Sequence, residues 1–146
     1  SAKDVFFVGR GIDYAVCLEG SLKLKEISYI HSEAYAAGEL KHGTLSLIEN
    51  GTPCVSICTD KKYYDKMIGN IREVKARGGC IILLHTPDFP HPEELSDLSF
   101  VLPLLDSHFT PLISVVFSQL LAYDTSILRG CDVDHPRNLA KSVTVE

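Results

Sequence analysis

Short apolar runs alternate with longer segments of helical spacing along this chain of 146 residues. Near-continuous apolar runs are typical of buried strands, and they occur at residues 5–8, 55–58, 80–84 and 100–104. Apolar residues that recur every three or four positions predict helices, and they occur at residues 12–29, 63–77 and 111–129. Pro103 lies within the last apolar run, which predicts an edge strand because proline lacks the N–H donor that a central strand uses.

Two finer predictions concern the first helix and the segment that follows it. Residues 31–47 contain Gly38 and Gly43, so we expect short helical pieces joined by loop. In the first helix, four apolar side chains can share one face and are expected to point inward: Ala15, Leu18, Leu22 and Ile27.

Apolar strands separated by helices predict a mostly parallel sheet, because parallel strands are joined by crossover helices that cover both faces. The sequence has no internal repeat, low-complexity tract or linker. We therefore expect one doubly wound α/β domain over residues 1–146, a three-layer sandwich that ends in a polar tail at residues 131–146.

The composition is that of a globular protein and limits the classes of partner. Apolar residues make up 45% and charged residues 23% of the chain, and the net charge is −5. No stripe of lysine and arginine is present, which argues against nucleic acid, because such partners are held largely through phosphate contacts. No uninterrupted apolar stretch has the roughly 20 residues that cross a bilayer. The start Ser1-Ala2-Lys3-Asp4 lacks the pattern of a signal peptide, so we expect no membrane partner.

The cysteines predict a reducing compartment. There are five, an odd number without a CxxC pair: Cys17, Cys54, Cys58, Cys80 and Cys131. A disulfide framework or a zinc site would need tighter, patterned spacing. We expect reduced thiols that mostly pack as small apolar groups, and hence a cytoplasmic protein.

The turn Gly9-Arg10-Gly11 follows the first strand directly. A dinucleotide-binding fingerprint would have a third glycine where Tyr14 stands, so the pattern argues against NAD. A tight strand-to-helix turn explains the two glycines. However, the carboxyl ends of parallel strands are also where ligands collect in open α/β sheets.

A charged column is predicted on the first helix. At about 100° per residue, Glu19, Lys23 and Glu26 fall within about 60° of one another. The column has two interpretations. It is either a set of surface ion pairs worth a few tenths of a kcal/mol each, or a carboxylate base beside an ammonium group that moves a proton between adjacent carbons of a sugar.

Two further candidates lie outside the helices. His42, between Lys41 and Gly43, can face a ligand or be an ordinary surface histidine. Lys141 in the tail becomes a nucleophile only if the tail folds back over a pocket.

Three tail residues suggest a metal site at first sight: Asp132, Asp134 and His135. Their spacing matches no common metal-binding loop, and Pro136 stiffens the segment, so we expect no metal.

Together these stretches resemble one enzyme family. The run CLEGSLKLKEISYIHSEAYAAGELKHG and the ending DVDHPRNLAKSVTVE are similar to the C-terminal lobe of the glutamine–fructose-6-phosphate aminotransferases, and the similarity covers essentially the whole chain. The resemblance implies the second of two sugar isomerase (SIS) domains, with a flavodoxin-like or Rossmann-like parallel sheet. It also implies an enzyme that makes D-glucosamine 6-phosphate and L-glutamate from D-fructose 6-phosphate and L-glutamine, without a cofactor.

The resemblance assigns roles to the charged column. Glu26 corresponds to the base that moves a proton between C1 and C2 of the sugar. Lys23 corresponds to the lysine beside that base, and Glu19 to the substrate-site carboxylate one turn earlier.

The resemblance assigns roles outside the helix as well. His42 corresponds to the histidine that opens the sugar ring in the neighbouring subunit's site, which implies a homodimer or higher homo-oligomer. Lys141 corresponds to the lysine that forms a Schiff base with the C2 ketone, and Ala140 lines the pocket beside it.

The family's other parts are missing from this sequence. It contains neither a glutaminase domain nor the first SIS lobe, whose Ser/Thr-rich loop holds the sugar phosphate in the family. We therefore expect those two units as partners within a parent chain, and little or no activity from this lobe alone. Two alternatives stay open: a non-catalytic SIS module that binds sugar phosphates for regulation, and a phosphosugar isomerase that works without amination.

Overall fold

Five parallel strands form the centre of the fold in the computed structural model, which describes residues 2–138. They are β1 (Asp4–Gly9), β2 (His31–Ala36), β3 (Pro53–Cys58), β4 (Cys80–His85) and β5 (Leu98–Val101). The order across the sheet is β2-β1-β3-β4-β5, and each neighbouring pair is parallel. This flavodoxin-like order confirms the predicted doubly wound α/β fold.

Helices cover both faces of the sheet. They are α1 (Ile12–Ser28), α2 (Tyr64–Lys75), α3 (Pro92–Leu95) and α4 (Thr110–Leu128), joined by 3₁₀ segments at Ala37–His42, Thr44–Leu47 and Lys61–Tyr63. One buried cluster contains α1, α4 and one side of the strands, and a second contains α2, the first two 3₁₀ segments and the other side. The three-layer sandwich is therefore confirmed.

The segment after α1 is the clearest difference from the sequence prediction. Residues 31–36 form the edge strand β2 and not a short helical piece. The hydrophobic pattern did not indicate a strand here because the segment is polar. His31 and Glu33 face outward, and the fully buried position holds Ser32. An edge strand can carry polar residues because only one of its sides pairs with the sheet. The short helical pieces that were expected begin at Ala37.

The inward face of α1 also differs from the prediction. Leu18 and Leu22 are each 48% exposed, and Ala15 is exposed as well. The buried positions hold mostly small residues: Val16, Cys17, Gly20, Ser21, Leu24 and Ser28. Small side chains bring a helix axis close to its neighbours, so α1 is positioned largely by glycine and serine, with Leu24 buried and Leu18 and Leu22 outside.

Helices α1 and α4 approach each other along a row of small residues. A Cβ atom on Gly20 would lie 2.8 Å from a ring carbon of Phe7 and 2.9 Å from the Ser118 hydroxyl oxygen. Both distances are shorter than ordinary van der Waals contact. The buried positions of α4 continue the row with Ser114, Ser118, Ala122 and Ser126.

The outer face of α4 is strongly apolar. Its large side chains are between 47% and 66% exposed at Leu112, Val116, Leu120, Tyr123 and Ile127. By length and mean hydropathy, 1.3 over the most apolar window, it is the one helix within residues 2–138 that could cross a membrane. The small residues of its opposite face pack on α1, so α4 is part of the helical layer.

The last strand and the cysteines largely agree with the predictions. β5 begins two residues earlier than expected and lies at the sheet edge as predicted, with Pro103 just beyond its end. All five cysteines are free, and three of them, Cys17, Cys54 and Cys58, are at most 1% exposed. Burial raises the pKa of Cys54 to about 12, which fits thiols that pack as apolar groups.

The α1–α4 contact generates a stability prediction. Gly20→Ala should lower the free energy of unfolding by about 1–3 kcal/mol, because the added methyl group must force apart Phe7 and Ser118. Gly69→Ala in α2 is the matched control: nothing lies within 4 Å of its new Cβ, so it should raise stability by about 0.5–1 kcal/mol. Urea unfolding of both variants measures the difference, and equal effects would contradict close packing at Gly20.

Candidate active site

The charged column on α1 forms as predicted. Lys23 Nζ lies 2.9 Å from Glu26 Oε2 and 3.7 Å from Glu19 Oε1. The three side chains are 26–40% exposed, so they lie at the edge of solvent. The hydrogen bond to Glu26 raises the pKa of the Lys23 ammonium group, against a smaller opposing effect of burial. Lys23 therefore remains a cation that holds the Glu26 carboxylate in place.

The column borders a groove. Lys23 and Ile27 line it from α1, and the other walls come from α4 and the tail: Gln119, Leu120, Ala122, Tyr123, Val133 and Asp134. Its volume is about 370 Å³. A groove of this size is within the usual range for small-ligand sites. Of the column, Lys23 lines this groove directly, and Glu26 reaches it through its ion pair with Lys23.

The described part of the tail runs along the end of α1. We call residues 129–137 the tail strap. The Asp132 carboxylate accepts the backbone N–H groups of Asp134 and His135, and these bonds lower its pKa. At the far end of the strap, the Arg137 guanidinium carbon lies 4.0 Å from the centre of the Tyr29 ring. The two residues predicted further on, Ala140 and Lys141, lie outside the described residues.

His42 lies away from the column. It ends the 3₁₀ segment Ala37–His42, is 73% exposed, and its Nε2 is 3.8 Å from Glu39 Oε2. The neighbouring Lys41 pairs with Glu73 of α2 at 2.8 Å. This segment packs on the α2 face of the sheet, whereas Glu26 belongs to α1 on the opposite face. With the sheet between them, His42 and Glu26 of one chain do not form a single site.

Protein groups occupy the turn at the carboxyl end of β1. Arg10 donates twice to the Asn70 side-chain oxygen, at 3.0 and 3.2 Å. Gly11 has φ 57°, and a Cβ there would meet the Tyr63 ring at 2.6 Å. The two glycines thus serve a tight strand-to-helix turn, which was the simpler of the two interpretations of this motif.

A buried carboxylate beside this turn was not anticipated from the sequence. Asp13, only 2% exposed, accepts the Thr59 backbone N–H at 2.8 Å and the Thr59 hydroxyl at 2.5 Å. The Thr59 hydroxyl is also 3.3 Å from that of Thr110. The network joins the starts of α1 and α4 to the end of β3. Burial raises the pKa of Asp13, although the Thr59 hydrogen bonds oppose the change.

The comparisons with known proteins agree with this fold and with the predicted family. The family model described as SIS domain matches residues 1–129. The chain belongs to the SIS domain family. This SIS chain is 56% identical over its full 146 residues to the glutamine–fructose-6-phosphate aminotransferase of Caldanaerobacter subterraneus subsp. tengcongensis. It is 54% identical, over 99% of its length, to the enzyme of that name from Bacillus subtilis.

The SIS chain spans about a quarter of its curated relatives, since it covers 24% of each of these two proteins. A solved structure of the C-terminal domain of glucosamine-fructose-6-phosphate aminotransferase from Francisella tularensis has a TM-score of 0.77 and 43% identity. The match covers 92% of the SIS chain and 38% of that chain. The predicted family and fold are therefore both confirmed.

The Asp13 network generates a pH prediction. A raised folded-state pKa means that the stabilising contribution of protonated Asp13 is complete below its ordinary value of 3.8 and is lost as the pH rises through the folded-state pKa. Asp13→Asn removes the buried charge and keeps an acceptor for the Thr59 N–H. We expect its free energy of unfolding at pH 7 to equal or exceed that of the wild type, with a weaker pH dependence above pH 4.

Asp13→Ala provides the comparison, because it leaves the buried Thr59 N–H without a partner and should cost about 1–3 kcal/mol. Urea unfolding of both variants at pH 4 and pH 7 measures these effects. If Asp13→Asn were as unstable as Asp13→Ala at pH 7, the ionised carboxylate would be the stabilising form.

Proposed function

We propose that this chain is the second SIS lobe of a glutamine–fructose-6-phosphate aminotransferase. In the whole protein it would help to convert D-fructose 6-phosphate and L-glutamine to D-glucosamine 6-phosphate and L-glutamate. The observation that carries the proposal is the Lys23–Glu26 ion pair, in which Lys23 lines the groove beside the tail strap. Identity of 54–56% over 99–100% of this chain to two enzymes of that name supports it.

The proposed chemistry begins at the ketone. The Lys141 amine attacks C2 of open-chain fructose 6-phosphate, and loss of water leaves an imine. Ammonia from glutamine then adds to C2 and the lysine leaves. Glu26 takes a proton from C1 and returns it to C2, while the proton of the C1 hydroxyl passes to the imine nitrogen, which gives the 2-amino aldose. Lys23 holds the Glu26 carboxylate, Glu19 contacts substrate one turn earlier, and Ala140 lines the pocket. These steps use no metal or redox cofactor.

His42 is proposed to open the sugar ring in the site of a second copy. The placement of His42 and Glu26 on opposite faces of the sheet supports this arrangement. The exposed imidazole is free to enter a neighbouring subunit. The functional unit would then be a homodimer or a larger homo-oligomer. The free, mostly buried cysteines support a reducing compartment, and we propose the cytoplasm.

We also propose that the outer face of α4 packs against the first SIS lobe of the same parent chain. The helix has large apolar side chains outside and serines inside, as expected of a helix covered on both sides. The matched C-terminal domain structure is long enough for another lobe of this size, because this chain covers only 38% of it. A bilayer is the less favoured cover, since α4 is fixed to α1 and the sheet along its other face.

Borohydride trapping in the full parent protein tests the reaction. With fructose 6-phosphate present, reduction should attach the sugar covalently to Lys141, which peptide mapping by mass spectrometry would identify. Glu26→Gln should keep this label and lose at least about a hundredfold in product formation, because proton transfer follows the Schiff base. Lys141→Arg should lose the label. The lobe alone should give neither label nor product.

Two results would contradict the proposal. Sugar-phosphate binding by the parent without any label on Lys141 would favour the non-catalytic SIS module, or an isomerase that works without amination. Product formation by the isolated lobe at rates near those of the parent would show that the first lobe and the glutaminase domain are not needed.

The proposed lobe contact is tested by Leu120→Glu in the parent protein. Leu120 is 56% exposed in the single lobe. A carboxylate buried there against another lobe should lower the free energy of unfolding by about 2 kcal/mol or more. Leu120→Met is the control and should cost less than about 1.5 kcal/mol, because it keeps the apolar character. Thermal unfolding measures both.

An unchanged melting temperature in Leu120→Glu would mean that the face is open to water. Flotation with phosphatidylcholine–phosphatidylglycerol vesicles tests whether a lipid bilayer covers the outer face of α4 instead. Vesicle binding that disappears in Leu120→Glu would mean that lipid, and not another lobe, covers α4.

A further inference from the structure

The tail strap is fixed to the end of α1 at both of its ends. At one end, Arg129 Nε donates to the Ser28 carbonyl oxygen at 3.0 Å, and Cys131 Sγ lies 3.9 Å from the same oxygen. At the other end, the Arg137 backbone N–H donates to Tyr29 Oη at 2.8 Å, and its guanidinium stacks on the Tyr29 ring. One tyrosine therefore holds both the backbone and the side chain of Arg137.

Tyr29 occupies a position where helices usually have glycine. It caps α1 with φ 60° and ψ 18°, in the left-handed region that side chains with a Cβ rarely adopt. Glycine would end the helix there with less strain. The chain has a tyrosine instead, and both its ring and its hydroxyl contact Arg137. Tyr29 therefore holds Arg137 in addition to ending α1.

The charges at this end of α1 favour the attachment. The last carbonyl groups of a helix carry partial negative charge, so cations are stabilised there. The Arg129 guanidinium bonds to the carbonyl oxygen of Ser28 in the last turn, and that of Arg137 lies on the ring of the capping residue Tyr29. Glu26 lies in that same turn, about 4.5 Å along the helix axis from Tyr29. The strap is therefore fixed at the end of the helix that carries the proposed base. Its Val133 and Asp134 line the groove that Lys23 also lines.

The clamp limits where the end of the chain can go. Lys141 follows Arg137 by four residues, which can span at most about 14 Å. Fixing Arg137 to Tyr29 therefore limits how far the backbone of residue 141 can lie from the strap. Such a tether raises the effective concentration of a nucleophile without changing its chemistry.

We propose that Tyr29 is a positioning residue that clamps Arg137 and thereby sets the rate at which Lys141 reaches the C2 ketone. This inference rests on the proposed function and adds to it a control point for the Schiff-base step. The ring supports the guanidinium, and the hydroxyl accepts the Arg137 N–H. Neither group touches the substrate in this role, so the expected effect is on the trapping rate and kcat more than on the fold.

The test measures the initial rate of borohydride trapping at Lys141 in the full parent protein with fructose 6-phosphate. Tyr29→Gly and Arg137→Gln should each lower the trapping rate and kcat about tenfold, because the tail loses its anchor. KM should change less than about threefold if the sugar is held by other groups. Tyr29→Phe keeps the ring under the guanidinium and loses only the acceptor, so its rate should be intermediate.

Arg77→Gln is the matched control. Arg77 also places a guanidinium at a helix end, where its Nη1 donates to the Glu73 carbonyl oxygen at 2.7 Å. It belongs to the end of α2, on the other face of the sheet from Glu26. Its loss should leave the trapping rate unchanged. The melting temperature of Tyr29→Gly should stay close to that of the wild type, because relief of the left-handed strain offsets the lost contacts.

The outcomes separate this inference from the proposed function. If the wild-type parent shows no label on Lys141, the proposed function fails and the inference fails with it. If the wild type is labelled and Tyr29→Gly and Arg137→Gln are trapped at the wild-type rate, the inference alone is overturned. An equal loss of trapping rate in Arg77→Gln would also overturn the inference, since loss of any arginine at a helix end would then have the same effect. Should Tyr29→Gly not fold, the comparison of Arg137→Gln with Arg77→Gln decides.

Discussion

The small size of the side chains between α1 and α4 is the constraint on which the rest of the structure depends. Gly20 lies against Phe7 and Ser118 with no room for a methyl group. This close contact brings α1 against the edge of α4, so that Lys23 borders a groove instead of open water. Where α4 meets α1 there is no space for large residues, so Leu112, Val116 and Leu120 face outward. Ile113, Phe117 and Leu121 pack beside the contact against the core. The groove and the apolar face both follow from one close contact.

Much of the fold could be predicted from the sequence because its central elements have strong patterns. β3, β4 and α2 lie within a few residues of their predicted positions, since near-continuous apolar runs and helical spacing are unambiguous there. β2 could not be predicted, because an edge strand needs few apolar residues. The predicted inward face of α1 was correct for Ile27 and wrong for Ala15, Leu18 and Leu22, because hydrophobic periodicity identifies large residues and this helix packs mostly through small ones.

The candidate site was predictable in part. Helical geometry alone places Glu19, Lys23 and Glu26 in one column, and the structure confirms it. The capping role of Tyr29 had no sequence signal, because a tyrosine in the left-handed region is against local preference and depends on a contact from residue 137. Asp13 was missed for a similar reason, since its partner Thr59, and Thr110 to which Thr59 is bonded in turn, are distant in sequence.

Different evolutionary constraints act on the two faces of α4. Serine and alanine on the inner face are fixed by the lobe's own geometry, and any larger residue there would push α1 away. The leucines, valine and isoleucine outside contribute little to that geometry. The lobe's own packing would allow polar substitutions at these outer positions. Only a surface that covers them selects for apolar residues there. Among related sequences, substitutions on the outer side of α4 should therefore co-vary with the surface that covers it. Substitutions among the small inner residues should co-vary with α1.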